Sequence, residues 1–431
     1  MGEIEVEVIS TDTIKPSSPT PAHLRHFQLS FLDQVLSPIF IPIVLFYPMD
    51  GDVKVDTIER SIWLKKTLSM TLVQFYPLAG RVKDNLFIDC TDQGVPYFEA
   101  QVKCQLSEFI CNPDPMQLSK FVPHALDDIV DIVLAIQVNI FKCGGIAIGV
   151  CISHKVADAS SVVTFVNGWA AVARRDTHMV CPQFGLANLF PPINLSGFNP
   201  STGMTKEKIL TKRFVFSASS VAALKEKYAD QSTTEDLPRR PTRIEALSAL
   251  IWSRFVAVTH GMVDPKKIYT ILHAVNLRTR MDPPLPENYF GNIIWFAITR
   301  PCIDGMKEGK RHALVNQMRE AIEKIDGDYI KKLPEGIKHL NFLKERAERV
   351  TKGEIESFRF TSFCRFPVYE ADFGWGKPIW VGSGSLPFKN LVIFIDSSGT
   401  NGGIEAWINL VEEDMDKFQG DEELLSFVSP T

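Results

Sequence analysis

The sequence predicts an α/β protein of two domains, each of which mixes strands and helices. Three observations support this prediction. The chain has 431 residues, which is more than one core normally supports, since domains hold about 100–200 residues. Strand-like and helix-like segments occur in both halves. Between residues 181 and 212 the hydrophobic periodicity disappears among prolines and glycines, which indicates a crossover between domains.

In the first half, a proline-rich entry precedes the predicted elements. A turn at residues 31–36 leads into a buried strand at 41–47, because the latter run is almost wholly apolar. Apolar residues at helical spacing predict a helix over 57–73. Residues 132–153 predict two strands joined at a glycine turn, and residues 160–175 predict a helix that ends in cations.

The second half resumes with a strand at residues 213–216 and a short helix at 219–228. Thr242 and Glu245 then form the S/T-x-x-E pattern of a capping box, which predicts the start of a helix.

These elements define the predicted domain boundaries. The N-terminal domain spans 1–190, a crossover linker spans 191–212, and the C-terminal domain spans 213–431.

Composition and charge exclude several functional classes. Hydrophobic residues make up 45% of the chain and charged residues 23%, as in an ordinary globular protein. The net charge is −5 and the basic residues are scattered, so nucleic acid is not an expected partner. The sequence has no metal-ligand motif and no phosphate-binding loop, so neither a metal nor a permanently bound cofactor is predicted.

Cysteine usage and the apolar segments indicate a cytoplasmic protein. The eight cysteines include no C-x-x-C pair, which is typical of reduced thiols. The N-terminus has neither a basic nor an apolar signal region. Apolar stretches end before the roughly 20 residues that span a bilayer, so no membrane association is expected.

His154 is the first candidate for chemistry. An apolar strand leads into it, a helix follows it, and Asp158 stands four residues later. An imidazole with a pKa near ~6.5 can accept the proton of an alcohol at physiological pH. Asp158 could orient the ring, or it could point away and anchor the turn through Arg278 or Arg280. A polar helix cap is the simpler interpretation of the pattern.

A second constellation is the segment Asp372-Phe373-Gly374-Trp375-Gly376. Its two glycines flank a tryptophan, which predicts a constrained turn with a large aromatic side chain packed at its centre. A structural role is therefore expected for Asp372, Gly374, Trp375 and Gly376.

The two segments together resemble the paired H-x-x-x-D and D-F-G-W-G signatures of the BAHD acyltransferases. Further matches are the segments at 76–81, 276–286 and 290–292, and the entry at 16–21 is similar to that of the vinorine-synthase-like branch. The resemblance implies the two-domain, chloramphenicol-acetyltransferase-like fold, with mixed sheets flanked by helices and an inter-domain channel. It also implies a monomer that uses an acyl-CoA, most simply acetyl-CoA, as co-substrate.

The same resemblance assigns roles to individual residues. His154 is expected to act as the general base in acyl transfer to a small-molecule alcohol, such as a plant alkaloid or terpenoid. Asp158 is expected to pair with Arg278 away from the channel. For coenzyme A, Ser253 and Arg254 are candidate ligands, because phosphates require cations or N–H donors.

One position departs from the family pattern. Members commonly carry Thr-Ser-Trp before D-F-G-W-G, and the indole N–H of that tryptophan is a proposed oxyanion donor, whereas this chain has Thr361-Ser362-Phe363. A phenyl ring cannot donate a hydrogen bond. Ser362 or a backbone N–H is a candidate replacement, and Phe363 could instead simply fill apolar space in the substrate pocket. Three alternatives stay open: a malonyl-CoA-dependent enzyme, an acylsugar acyltransferase, and a catalytically weak small-molecule binding protein.

Overall fold

The structure, a computed structural model, describes residues 3–49, 57–123, 131–177, 181–201, 203–205, 207–229, 240–259, 267–301, 311–399 and 402–429. The chain forms two compact units. Unit 1 comprises Met1–Ser196, Pro284–Ile293 and Phe366–Ser385, and unit 2 comprises Gly197–Pro283, Ile294–Arg365 and Leu386–Thr431.

Strands and helices occur in both units. The strands are β1 (Val6–Ile14), β2 (His26–Gln28), β3 (Phe40–Tyr47), β4 (Arg81–Lys83), β5 (Phe87–Asp89), β6 (Val95–Val102), β7 (Leu134–Phe141), β8 (Ile146–Ser153), β9 (Ile209–Phe216), β10 (Ile268–Asn276), β11 (Ile294–Thr299), β12 (Ile355–Ser362), β13 (Trp380–Ser383), β14 (Leu391–Asp396) and β15 (Ile404–Val411). The helices are α1 (Phe31–Gln34), α2 (Thr57–Gln74), α3 (Leu106–Ile110), α4 (Ala159–Ala173), α5 (Leu186–Leu189), α6 (Ala218–Lys227), α7 (Arg243–Thr259), α8 (Arg311–Glu323), α9 (Gly327–Lys332), α10 (Ile337–Thr351), α11 (Glu412–Phe418) and α12 (Glu422–Leu425). The α/β prediction is confirmed.

Unit 1 contains a mixed sheet with the strand order β1-β6-β7-β8-β3-β13. The β6–β7 pair is parallel and the other pairs are antiparallel. Every residue of β8 is buried, as expected for an interior strand covered on both faces. Strands β2, β5 and β4 form a separate small sheet.

Strand β13 changes the predicted domain division. It pairs with β3 in the register Ile43↔Ser383, so the backbone groups on that side of β3 have partners and are not left as an open edge. Residues 366–385, with the D-F-G-W-G segment, therefore belong to unit 1, whereas the predicted division has them in a C-terminal domain at 213–431. The boundary after Ser196 does fall within the predicted linker.

Unit 2 contains the mixed sheet β11-β10-β12-β14-β15-β9. Its core packs side chains from α6, α7, α8 and α11 against the sheet, with Phe255 of α7 lying 4.9 Å from Phe358 of β12 between ring centroids. The predicted capping box is present: Glu245 N donates to Thr242 Oγ1 at 3.2 Å, and Thr242 N donates to Glu245 Oε2 at 2.9 Å.

The predicted helices over 57–73, 160–175 and 219–228 correspond to α2, α4 and α6. The expected turn at 31–36 contains the short helix α1. Within the described part of the chain, no helix has both the length and the apolar composition needed to cross a membrane.

Candidate active site

His154 lies directly after β8, at the turn between that strand and α4. Its backbone N–H donates to Ile39 O at 2.7 Å, which fastens the strand end to the segment that enters β3. The side chain is half-buried. A strand therefore carries the imidazole to a fixed position, as a general base requires.

The imidazole has a defined tautomer. Its Nδ1 lies 3.0 Å from Ala157 O and 2.9 Å from Asn292 Oδ1. A carbonyl oxygen and an amide oxygen are both acceptors, so Nδ1 carries the hydrogen. The basic lone pair is then on Nε2, which makes no hydrogen bond within the described residues. Burial lowers the pKa of His154, while the hydrogen bond to Asn292 and the charge of Asp158 oppose the shift.

The orientation of the Asn292 amide is set by its nitrogen end. Nδ2 donates to Asp33 Oδ1 at 2.8 Å and to His154 O at 2.9 Å, so only Oδ1 can face the imidazole. The backbone N–H of Asn292 also donates to Asp33 Oδ1, at 3.1 Å. Asp33 is 2% exposed, and its other oxygen accepts from Ser30. Asp33 therefore acts on His154 through Asn292.

Both carboxylate oxygens of Asp158 accept hydrogen bonds from backbone N–H groups. It is the N-cap of α4, where Oδ1 accepts from Ser161 N at 2.9 Å, and its Oδ2 accepts from Ile293 N at 3.0 Å. Ser161 Oγ in turn donates to Gly291 O and accepts from Gly291 N, both at 3.0 Å. Residues 291–293 are thus held at each position, and this places Asn292 against His154.

Gly291 cannot be replaced without disturbing this segment. Its φ is 143°, in the region that favours glycine, and a Cβ there would lie 2.8 Å from Leu186 Cδ2. The contacts of Asn292 with His154 and with Asp33 join segments that are far apart in the sequence. No local pattern therefore predicts the roles of Asn292 and Asp33, although residues 290–292 match the family and residues 31–36 are a predicted turn.

The D-F-G-W-G segment forms the predicted constrained turn. Asp372 Oδ1 accepts from Gly374 N at 2.7 Å and from Gly376 N at 3.0 Å, and both glycines have φ near 100°. Phe373 packs edge-on against Trp169 of α4, with ring centroids 4.9 Å apart. Trp375 stacks on Phe373 at 5.8 Å. The turn packs against the helix that Asp158 caps.

The other predicted site residues lie in unit 2. Arg254 makes a bidentate ion pair with Asp421, at 2.9 and 2.7 Å, and contacts Glu423 at 2.5 Å. Ser253 Oγ donates to Leu250 O at 2.9 Å. The guanidinium group of Arg254 is thus bound by carboxylates of the chain itself. The predicted contact of Ser253 and Arg254 with coenzyme A stays a prediction. Arg278 is 2% exposed and its predicted pairing with Asp158 also stays a prediction.

The oxyanion candidates are close together in the chain. Phe363 is 6% exposed, and its backbone N–H donates to Phe394 O at 2.8 Å. Ser362 Oγ accepts from Cys364 N at 3.0 Å. The hydroxyl of Ser362 also hydrogen-bonds to the Cys364 thiol and lowers the pKa of that thiol against the effect of burial. A hydroxyl hydrogen can rotate to another acceptor, whereas the N–H of Phe363 is fixed in its bond to Phe394 O. Of the two, Ser362 is the better donor candidate.

Comparison with known proteins gives consistent similarities. The model of the Transferase family matches residues 4–425. The chain is 40% identical to stemmadenine O-acetyltransferase of Catharanthus roseus, over 97% of each chain. It is 38% identical to limonoid 21-O-acetyltransferase of Citrus sinensis, over 99% of each. The crystal structure of vinorine synthase superposes with a TM-score of 0.83 at 34% identity, over 99% of both chains.

Proposed function

The chain belongs to the Transferase family, the BAHD acyltransferases, and from that membership we propose an acetyl-CoA-dependent O-acetyltransferase of plant specialised metabolites. The acceptor is a hydroxyl group of an alkaloid or a terpenoid alcohol. Two relatives support this acceptor class, since their names give O-acetylation of stemmadenine and of a limonoid.

The observation that carries the mechanism is the contact of His154 Nδ1 with two acceptors. With Nδ1 protonated, Nε2 removes the proton of the acceptor hydroxyl as its oxygen attacks the thioester carbonyl. The tetrahedral intermediate collapses and the C–S bond breaks. The departing coenzyme A thiolate receives the proton from Nε2, so the imidazole returns to its starting form. No covalent enzyme intermediate is required.

Burial supports this role of His154. Because its pKa is lowered, the imidazole is neutral at physiological pH and can accept a proton. Asp158 contributes a negative charge nearby, which favours the imidazolium that forms during attack. Its two oxygens are nevertheless engaged by backbone N–H groups, so Asp158 does not exchange protons with the substrate.

The negative charge on the tetrahedral oxygen needs a donor, and we assign it to the hydroxyl of Ser362. Phe363 supplies apolar surface for a bulky acceptor but no side-chain hydrogen bond. Two observations support this assignment: the hydroxyl hydrogen of Ser362 can rotate, and Ser362 stands next to Phe363, the position at which the family pattern has tryptophan.

A co-substrate screen tests the function. Purified protein is incubated with acetyl-CoA or malonyl-CoA and a panel of alkaloid, terpenoid and sugar alcohols, and products are identified by mass spectrometry. Acetyl esters of alkaloid or terpenoid alcohols are expected. Malonyl esters would instead show a malonyl-CoA-dependent enzyme, and products formed only from sugar alcohols would show an acylsugar acyltransferase. Binding of coenzyme A without any product would show a small-molecule binding protein.

We further propose a monomer in the cytoplasm. The eight cysteines of the sequence include no C-x-x-C pair, which is typical of reduced thiols in a reducing compartment. Light scattering after gel filtration should give one species near 48.4 kDa. A dimer mass, or a fluorescent fusion that enters the secretory pathway, would contradict the proposal.

A further inference from the structure

Lys155, the residue after His154, has a buried charge that the reaction itself does not use. It is 3% exposed. Its Nζ donates to Gln34 O at 2.9 Å and to Leu36 O, and lies 3.5 Å from Asp33 O. Lysine is almost never fully buried unless it is paired. The hydrogen bonds to these carbonyl groups are therefore the interactions that keep the Lys155 ammonium group in the interior.

The contacts of Lys155 lie at the C-terminal end of α1. This helix has four residues, Phe31–Gln34, which is too short to be stable by itself. Its N-terminal end is closed by the reciprocal bonds of Ser30 and Asp33, at 3.1 and 2.8 Å. At its other end, Phe31 O and Asp33 O accept from the backbone N–H groups of Val35 and Leu36. Gln34 O accepts from Lys155 Nζ and from Asn85 Nδ2, at 2.9 and 3.1 Å.

Helix α1 in turn holds Asp33 in contact with Asn292, the residue that faces His154. Asp33 Oδ1 accepts from both the N–H and the amide of Asn292, at 3.1 and 2.8 Å, and Asn292 Oδ1 faces His154 Nδ1 at 2.9 Å. Lys155 follows His154 in the chain. The contacts therefore form a closed ring of residues, from His154 through Asn292, Asp33 and the end of α1 to Lys155, and all of these residues lie in unit 1.

The charges of the ring support the arrangement. Burial lowers the pKa of Lys155 to about 8, and the charge of Asp33 opposes this shift. Lys155 is therefore mostly protonated at neutral pH. The oxygens of Asp33 accept from the backbone N–H and hydroxyl of Ser30 and from Asn292. Burial raises the pKa of Asp33, and these hydrogen bonds oppose the shift. The ammonium group of Lys155 thus lies at the carbonyl end of the helix that contains Asp33.

We propose that Lys155 is a positioning residue for acyl transfer: by holding the carbonyl end of α1 it fixes Asp33 and Asn292, which keep His154 in the tautomer with a free Nε2. The inference rests on the proposed role of His154 as general base. It assigns Lys155 no contact with substrate.

The test compares Lys155→Met, which keeps the length but removes the donors, with Lys155→Arg, which keeps the charge. Lys120→Met is the matched control, because Lys120 also donates to a backbone carbonyl in unit 1, Ile4 O, at 2.7 Å. For each variant, kcat and both KM values are measured per folded molecule. The ¹⁵N spectrum of histidine-labelled enzyme reports the tautomer of His154, assigned by its loss in His154→Ala.

We expect kcat of Lys155→Met to fall about 10- to 100-fold, part of the 10²–10⁴-fold that a general base contributes, with both KM values within about twofold. The His154 signals should shift towards a mixture of tautomers. Lys155→Arg should recover part of kcat, and Lys120→Met should match the wild type. A purely structural lysine would lower only the folded fraction.

Wild-type kcat and an unchanged tautomer in folded Lys155→Met would overturn the inference. If that variant does not fold by circular dichroism, Lys155→Gln, which retains a neutral donor, is measured in the same way with the same two outcomes. A fully active His154→Ala would instead refute the mechanism proposed for the enzyme. An inactive His154→Ala beside an unaffected Lys155→Met would refute the positioning role alone.

Discussion

Asn292 Oδ1 lies 2.9 Å from His154 Nδ1, and the nitrogen end of the same amide is occupied by Asp33 Oδ1 and by His154 O. The amide can therefore accept from the imidazole in one orientation only. This single contact, between residues 138 positions apart, decides which ring nitrogen of His154 is available as a base.

Replacement of Asn292 by alanine should slow catalysis without weakening substrate binding. Without Oδ1 the imidazole loses one of its two acceptors, so the tautomer is less restricted and Nε2 is less often free. We expect kcat to fall about 10- to 100-fold, with KM values changed less than about threefold. Asn288→Ala is the control, since Asn288 lies in the same segment and donates to Cys181 O. Equal kcat values for the two variants would contradict the proposed role.

Asp158→Ala should lower stability more than the loss of an ordinary helix cap. Removal of the cap costs about 1 kcal/mol, and the buried N–H of Ile293 left without an acceptor costs about 1–3 kcal/mol more. Asp326→Ala is the matched control, because Asp326 caps α9 through Tyr329 N at 2.8 Å. Urea unfolding should show the larger decrease in free energy of unfolding for Asp158→Ala. Equal decreases would show that the bond to Ile293 contributes nothing.

The strand, turn and helix around His154 could be predicted from the sequence because their signals are local. Apolar β-branched residues indicate β8, and Asp158 is a suitable N-cap for the apolar pattern of α4. The D-F-G-W-G turn was predictable for the same reason, since its two glycines are needed at φ near 100°.

The contacts across the chain could not be predicted in this way. Asn292 reaches His154, and β13 joins β3, through pairings between distant segments that no local periodicity records. Arg254 was a candidate phosphate ligand by residue type alone, and the carboxylates of Asp421 and Glu423 that engage it come from 167 and 169 positions away. The small helix α1 was missed because four residues are too few for a helical pattern.

His273 should make the folded state sensitive to acid. It is 4% exposed and stacks on Phe360 at 5.0 Å in the core of unit 2, and burial lowers its pKa to about 4. Between the unfolded value near ~6.5 and about 4, only the unfolded state binds the proton, so the free energy of unfolding falls as pH falls. The loss should total about 3 kcal/mol and level off below the folded pKa.

His273→Gln tests this dependence. The variant should be less stable at pH 7 but should lose less stability between pH 6.5 and 4.5, as measured by urea unfolding at several pH values. Parallel curves for the two proteins would show that His273 does not contribute.

Ser362→Ala should reduce turnover if its hydroxyl stabilises the oxyanion. Loss of one such donor costs about 10²–10³ in kcat, while KM for acetyl-CoA should stay nearly constant because the charge exists only in the transition state. Ser362→Thr retains the hydroxyl and should keep most of the activity. An alanine variant as active as the threonine variant would move the oxyanion donor elsewhere.

Release of free thiol from acetyl-CoA by His154→Ala, in the presence of an accepted alcohol, tests the central claim most directly. His312→Ala serves as the control for a histidine outside the site. We expect His154→Ala to bind coenzyme A as the wild type does, while its turnover falls at least about 10²-fold. Wild-type turnover in a folded His154→Ala enzyme would show that His154 is not the base.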